Sequence, residues 1–152
     1  MPDIETKYFG TMHYEEESIF SFPSGLPGFE NETKFVFIGL PQHAPLVFLQ
    51  SIVRQDLCFL ALPALAVDRE YRLAVSDDDL LSLDLQPGRQ PALATEVLVL
   101  ALVSLQHGGV ATANLMAPVV VNLTTRRALQ AIRQDSRYSH QQAIELVKEG
   151  TC

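Results

Sequence analysis

EVLVLALVSL, Glu96 to Leu105, is the stretch whose reading decides the fold. Val97 through Val103 run apolar without interruption, and that continuous pattern reads as a strand buried on both faces. A strand of this kind needs apolar layers above and below it, so the chain around it must supply both. The run is too short to cross a bilayer and is followed by polar residues, which places it in a protein core.

Downstream, His107-Gly108-Gly109 is a turn signal and Val110–Asn114 returns as a strand. Leu115-Met116-Ala117-Pro118 kinks the chain, and Val119–Asn122 is the next strand. Beyond Thr124 two readings stand: RRALQAIRQ as helix on propensity, or a short edge strand over Leu129–Ile132. The tail HQQAIELVKEG suits a short helix. Upstream, Ser76 caps a helix in SDDDLLSLDL, with Asp77–Asp79 against the positive dipole end. Leu80, Leu81 and Leu83 form its apolar face, and Pro87-Gly88 ends it.

Pro63 to Val75 carries no clear signal. Val47–Ser51 and Asp56–Leu62 read as strands around the polar connection VRQD, and the FVFI of Lys34–Gly39 as a core strand. Pro41 and Pro45 exclude helix from LPQHAP. Lys7–Met12 and Ser18–Phe22 read as two strands joined by the charged turn Tyr14–Glu17. Short strands with turn signals between them predict a mostly antiparallel sandwich or barrel with one or two short helices.

The 152 residues suffice for one domain, and 47% hydrophobic with 19% charged residues is a composition that collapses. A net charge of −7 and a pI of about 4.9 repel phosphate backbones, which argues against direct nucleic-acid binding and favours a basic partner. The start MPDIETKYFG lacks a signal peptide's apolar stretch, pointing to a soluble cytoplasmic protein with no membrane association. Cys58, inside LCFLALPAL, reads as a buried small hydrophobe and Cys152 as an exposed terminal residue, with no C-x-x-C pattern.

The residues offer no catalytic, cofactor or metal constellation. His13, His43, His107 and His140 are not spaced as ligands on a shared helix face and fall in or beside loops. Glu15–Glu17 reads as a solvated hairpin tip and Asp77–Asp79 as helix-start charges, without calcium-loop spacing. Neither a phosphate-cradling glycine loop nor a G-x-S-x-G elbow occurs.

Several separated motifs together resemble the flagellar assembly factor FliW family. They are FPSGLPGFE (Phe22–Glu30) with the following FVFI, FLQS (Phe48–Ser51), LCFLALP (Leu57–Pro63), Tyr71, VLVLALV, TANLMAPVVVN (Thr112–Asn122), Gln130 and Tyr138. The likeness runs from about Tyr8 to Tyr138, and the order and spacing of the motifs carry it. It implies a small, mostly β, antiparallel pseudo-barrel, a single FliW-like domain over residues 1–152 with a short tail from about residue 139. It also implies a protein without enzymatic activity or cofactor that binds newly made flagellin and the RNA-binding translational repressor CsrA, relieving repression of the flagellin message. Acidity lies in Asp3–Glu32 and Asp77–Asp84 rather than in the tail, where Lys148 joins Glu145 and Glu149.

The positions with a stake in partner binding are Leu26, Phe29, Gln50, Asn114, Leu115, Pro118, Gln130, Tyr138, Glu145, Leu146 and Glu149. Most have a competing structural reading. Leu26 and Phe29 plug one end of the barrel or dock a partner, and Gln50 and Gln130 satisfy buried backbone or reach outward. Asn114 bonds neighbouring backbone, Leu115 is core, and Glu145, Leu146 and Glu149 form an exposed amphipathic turn. The rival functions are a small-molecule-binding β-barrel, which requires a large enclosed polar-lined pocket, and an enzyme built from scattered loops.

Overall fold

The computed structural model describes residues 3–105 and 110–144. In chain order these contain strands β1 (Asp3–Thr6), β2 (Gly10–His13), β3 (Ile19–Ser21), β4 (Lys34–Ile38), β5 (Val47–Ser51) and β6 (Cys58–Pro63). Two short helices follow, α1 (Ala64–Val67) and α2 (Asp77–Ser82). The rest are β7 (Val97–Leu105), β8 (Ala111–Ala113), β9 (Val119–Asn122), β10 (Ala128–Gln130) and β11 (Gln142–Ile144). The fold is mostly β, as the spacing of strands and turns predicts.

One antiparallel sheet runs in the order β10-β9-β7-β6-β5-β4-β3. β7 is its longest strand because it serves both edges. Leu100–Leu102 pair with Pro63–Ala61 of β6, while on the other edge Val97–Leu100 pair with β9 and Val103–Leu105 with β8. β11 pairs β8. The sheet curls until its two edge strands meet at one bridge, Ser21 with Arg127, where the Ser21 N–H donates to the Arg126 carbonyl at 2.9 Å. Among the described residues no ladder extends from that bridge, so this is a pseudo-barrel with an open seam. β1 and β2 form a separate hairpin that places Phe9 edge-on to Phe48, with ring centroids 5.2 Å apart.

Side-chain alternation on β7 divides the interior in two. Leu98, Leu100 and Leu102 face the barrel with Phe22, Phe35, Leu49, Leu57 and Val119. Val97, Val99 and Ala101 face a second cluster containing Ala64, Tyr71, Val75, Leu80, Leu83 and Val120. Burial on both faces, expected from the unbroken run, is met by two different apolar layers. The second layer explains the chain between β6 and β7, which folds over the outside of the sheet.

α2 begins as its sequence predicts, with the Ser76 hydroxyl accepting from the Asp79 N–H at 3.2 Å. It stops at Ser82, before Pro87-Gly88. Asp84 takes φ 61°, and the Leu85 N–H reaches back to the Leu80 carbonyl at 2.8 Å, a Schellman-type termination that satisfies the last carbonyls. Leu80 and Leu83 are buried, whereas Leu81 points to solvent.

Other segments also depart from expectation. Lys7–Met12 is not one strand: the Thr6 hydroxyl accepts from the Phe9 N–H and donates to the Gly10 carbonyl, both at 2.8 Å, turning the chain between β1 and β2. β2 pairs β1 rather than the following strand, and Glu16–Ser18 is a 3-10 turn, not a hairpin tip. Pro41 opens another 3-10 turn, Pro41–His43, because proline at a first helical position forfeits no bond. For RRALQAIRQ, where helix and edge strand both stood, the strand is found: β10 covers Ala128–Gln130, one residue earlier than the expected start at Leu129. The first part of HQQAIELVKEG forms β11, since the free edge of β8 offers backbone partners that outweigh helix propensity. The His107-Gly108-Gly109 turn and Cys152 lie outside the described residues, and Cys58 is half-buried, its thiol pushed up to about 11 by burial.

Just before β7, the Glu96 carboxylate accepts both Arg89 guanidinium nitrogens at 3.0 and 2.7 Å and the Ala92 N–H at 2.8 Å. These bonds, the Arg89 one foremost, hold its pKa at about 2 instead of 4.5. A depressed folded pKa stabilises above the unfolded value and loses that stabilisation as pH falls through the folded one. Glu96→Gln should therefore lower the urea midpoint at neutral pH and flatten its fall between pH 4.5 and 2. Leu100→Ala, at a fully covered site facing the barrel, should cost about 3 kcal/mol in urea unfolding with an unchanged m-value.

Candidate functional site

FPSGLPGFE forms a compact bend at the open seam. Gly25 has φ +64°, and a Cβ there would lie 2.5 Å from the Phe29 carbonyl oxygen, so only glycine fits. Pro27-Gly28 makes the next corner: Gly28 takes φ +84° and the Phe29 N–H donates to the Leu26 carbonyl at 2.7 Å, as in a type II turn. These corners drive Phe22 and Leu26 into the barrel interior, where both are buried. Phe29 is half-buried, edge-on to Phe59 at 5.5 Å and overlaid by Arg54.

At the far end of β10, on its β9 side, stands the kink NLMAP, whose Pro118 carbonyl accepts from the Ala131 N–H. Asn114 Oδ1 accepts from the Met116 and Ala117 N–H groups at 3.1 and 2.9 Å. Leu115, 1% exposed, accepts at its carbonyl from the Tyr71 hydroxyl and donates its N–H to the Ser139 carbonyl, both at 3.0 Å. Pro118 is buried, and Gln130 Nε2 donates to the Ala117 carbonyl at 2.9 Å. Tyr138, half-buried, accepts from the Arg72 N–H and lies 4.7 Å beneath the Arg133 guanidinium. Arg133 is itself buried; it donates to Asp135 through Nε and Nη2 and to the Arg72 carbonyl through Nη1. The Asp135 carboxyl is held below its usual range by that fork. This tie fastens the chain after β10 and the NLMAP kink to Tyr71 and Tyr138 of the second core.

Gln50 is fully buried elsewhere: its Nε2 donates to the Ser51, Arg54 and Gln55 carbonyls and so shapes the β5–β6 connection. Glu145, Leu146 and Glu149 lie outside the described residues. Sequence reasoning missed Arg133, for which only the nearby Asp135 gave a hint, and it missed the seam, which has no local signature.

Between the bend and β10 lies a surface cleft of about 350 Å³, lined by Pro23–Gly25, Pro27, Glu30, Asp79, Ser82 and Arg127–Gln130. It therefore brings the bend together with Gln130 and not with Asn114 or Tyr138. Its electrostatics are acidic. The Arg127 guanidinium is taken by the Ser82 carbonyl at 3.1 Å and Asp84 at 3.4 Å, whereas Glu30 and Asp79 have no ion-pair partner among the described residues. The interior that a barrel ligand would need holds Phe22, Phe35, Leu49 and Leu100, each fully covered. Among the described residues no three His, Cys, Asp or Glu side chains gather to hold a metal, and no helix is long and apolar enough to cross a membrane.

Residues 3–144 match the family model described as FliW protein. The chain is 34% identical over 142 residues to the flagellar assembly factor FliW of Bacillus licheniformis, spanning 93% of this chain and 95% of that one. It is 33% identical over 141 residues to its counterpart in Bacillus subtilis, with coverage of 93% and 95%. For Leptospira interrogans the identity is 30% over 142 residues, covering 93% and 92%. A crystal structure of the flagellar assembly factor FliW superimposes with a TM-score of 0.80 at 27% identity, covering 93% of this chain and 96% of that one.

Leu115→Asp would set a carboxylate in the second core, a cost of about 4 kcal/mol or more, and should abolish cooperative thermal unfolding. A Leu115→Asp protein that unfolds at the wild-type midpoint would contradict the placement of this residue in the core.

Proposed function

Because the chain belongs to the FliW family, we propose that it is a non-enzymatic regulatory binding protein of the cytoplasm that couples flagellin synthesis to flagellar assembly. Its partners in this reading are newly made flagellin and the translational repressor CsrA. Free protein engages CsrA and stops it repressing the flagellin message; accumulating flagellin draws the protein away and restores repression. The observation that carries the reading is the family match over residues 3–144, supported by identities of 30–34% across nearly the whole chain.

The charge pattern supplies a mechanism. Glu15, Glu16, Glu17, Asp77 and Asp78 are exposed on a chain of net charge −7, while an RNA-binding partner must present basic groups to phosphate. Acids docked within about 8 Å of that basic surface oppose RNA without covering it, since the field decays over a Debye length. Of the residues singled out by sequence, Phe29, Asn114, Gln130 and Tyr138 keep exposed surface for a partner, and buried Leu26, Leu115 and Pro118 hold that surface from beneath.

Mixed with CsrA or with flagellin, the purified protein should elute as a complex in size exclusion, more completely at low salt for CsrA. The CsrA complex should bind the message more weakly than free CsrA, and the difference should shrink as salt rises. Elution of both mixtures as separate components across the salt range would overturn the reading.

A further inference from the structure

The outer edge of β10 is occupied by β3 only at the Ser21–Arg127 bridge. Beyond it the chain stays extended beside the NLMAP kink, with the Ala131 N–H donating to Pro118 at 2.8 Å and the Arg133 N–H donating to Met116 at 2.9 Å. Main-chain groups alternate sides along an antiparallel pair, so those of Gln130 and Ile132 face away from β9. Among the described residues no strand closes on them, and Ile132 is 62% exposed. Such an edge is a template for another strand.

Hollows lie at both ends of this edge. The seam cleft of about 350 Å³ reaches Gln130, and a second hollow of similar size is lined by Ala74–Ser76, Gln90, Ile132, Gln134 and Asp135. In the first, Glu30 and Asp79 are free of ion pairs among the described residues while Arg127 is already engaged by Asp84. In the second, Asp135 is neutralised by Arg133. Within the lining of the first hollow, the charges left without an ion pair among the described residues are therefore negative; Arg126, whose carbonyl accepts the Ser21 N–H at the seam, lines neither hollow.

We propose that the open edge from Gln130 to Ile132 takes an extended, lysine- or arginine-bearing polypeptide segment as an added strand, its basic side chain entering the cleft toward Glu30 and Asp79. Backbone pairing supplies affinity and the cleft supplies selection by charge, as in other strand-addition sites. This goes beyond the family reading and does not depend on which protein carries the segment.

The test uses an acetylated, amidated seven-residue peptide alternating Lys and Val, labelled for fluorescence anisotropy, with the full-length protein. The peptide should bind saturably. A version N-methylated at alternate residues should bind at least about tenfold more weakly, as should a Glu/Val version. Gln130→Pro and Gln130→Ala both lose the side-chain bond to the Ala117 carbonyl, but only the proline also removes the outward backbone N–H, so Gln130→Pro should bind more weakly than Gln130→Ala by a similar factor. Failure of the Lys/Val peptide to bind would overturn the proposal, as would equal affinity of the N-methylated peptide for wild-type protein, a readout that stands even if Gln130→Pro does not fold. Complexes with CsrA or flagellin formed in the face of either result would leave the family reading intact and remove only this site.

Discussion

The structure depends on one strand being apolar on both faces. β7 alternates leucines into the barrel with valine and alanine toward a second cluster, so neither face tolerates water. A sheet carrying such a strand cannot simply curl into a barrel and leave its outside wet. The chain between β6 and β7 must cover the outer face, and α2, with Leu80 and Leu83 buried, supplies much of that cover. Polar bonds then fix the cover in place: Asn122, buried on β9, donates to the Leu83 carbonyl at 2.7 Å, and Tyr71 donates to Leu115.

Function follows from what this arrangement leaves over. Side chains fill the positions where a small barrel would hold a ligand, so in the proposed reading recognition falls to the rim, where strands end and the sheet fails to close. The bend, the NLMAP kink and the edge after β10 all lie there. Loops held by a packed sheet are suited to recognition because their geometry is set by burial beneath them. Gly25 shows this well: a backbone contact too close for any Cβ fixes the bend that lines the seam. Membership of a flagellar assembly family agrees with a molecule whose distinctive features are surface shape and negative charge.

The legible parts of the fold were those encoded locally. The unbroken run of β7, the FVFI and FLQS strands, and the Ser76 cap each carry their own signal, and each appears where expected. Segments settled by distant partners were not legible. β10 and β11 have helical propensity but lie against open edges of β9 and β8, and pairing across many residues leaves no periodicity in the sequence. The seam was invisible for the same reason, because it exists only where Ser21 meets Arg127. Gln50 was ambiguous since a polar residue among apolar ones reads alike whether it bonds backbone or a partner; three carbonyls decide it here. The family motifs were readable as a pattern even where the role of each residue was not.

Amide hydrogen exchange, compared between the free protein and its complex with CsrA, tests most directly whether partners are gripped from outside a closed interior. The account predicts that β7 amides are among the slowest in both states and unchanged by binding, with new protection confined to exposed loops and strand edges. Faster exchange along β7 in the complex, with the rim unaltered, would mean that binding opens the core and would contradict it.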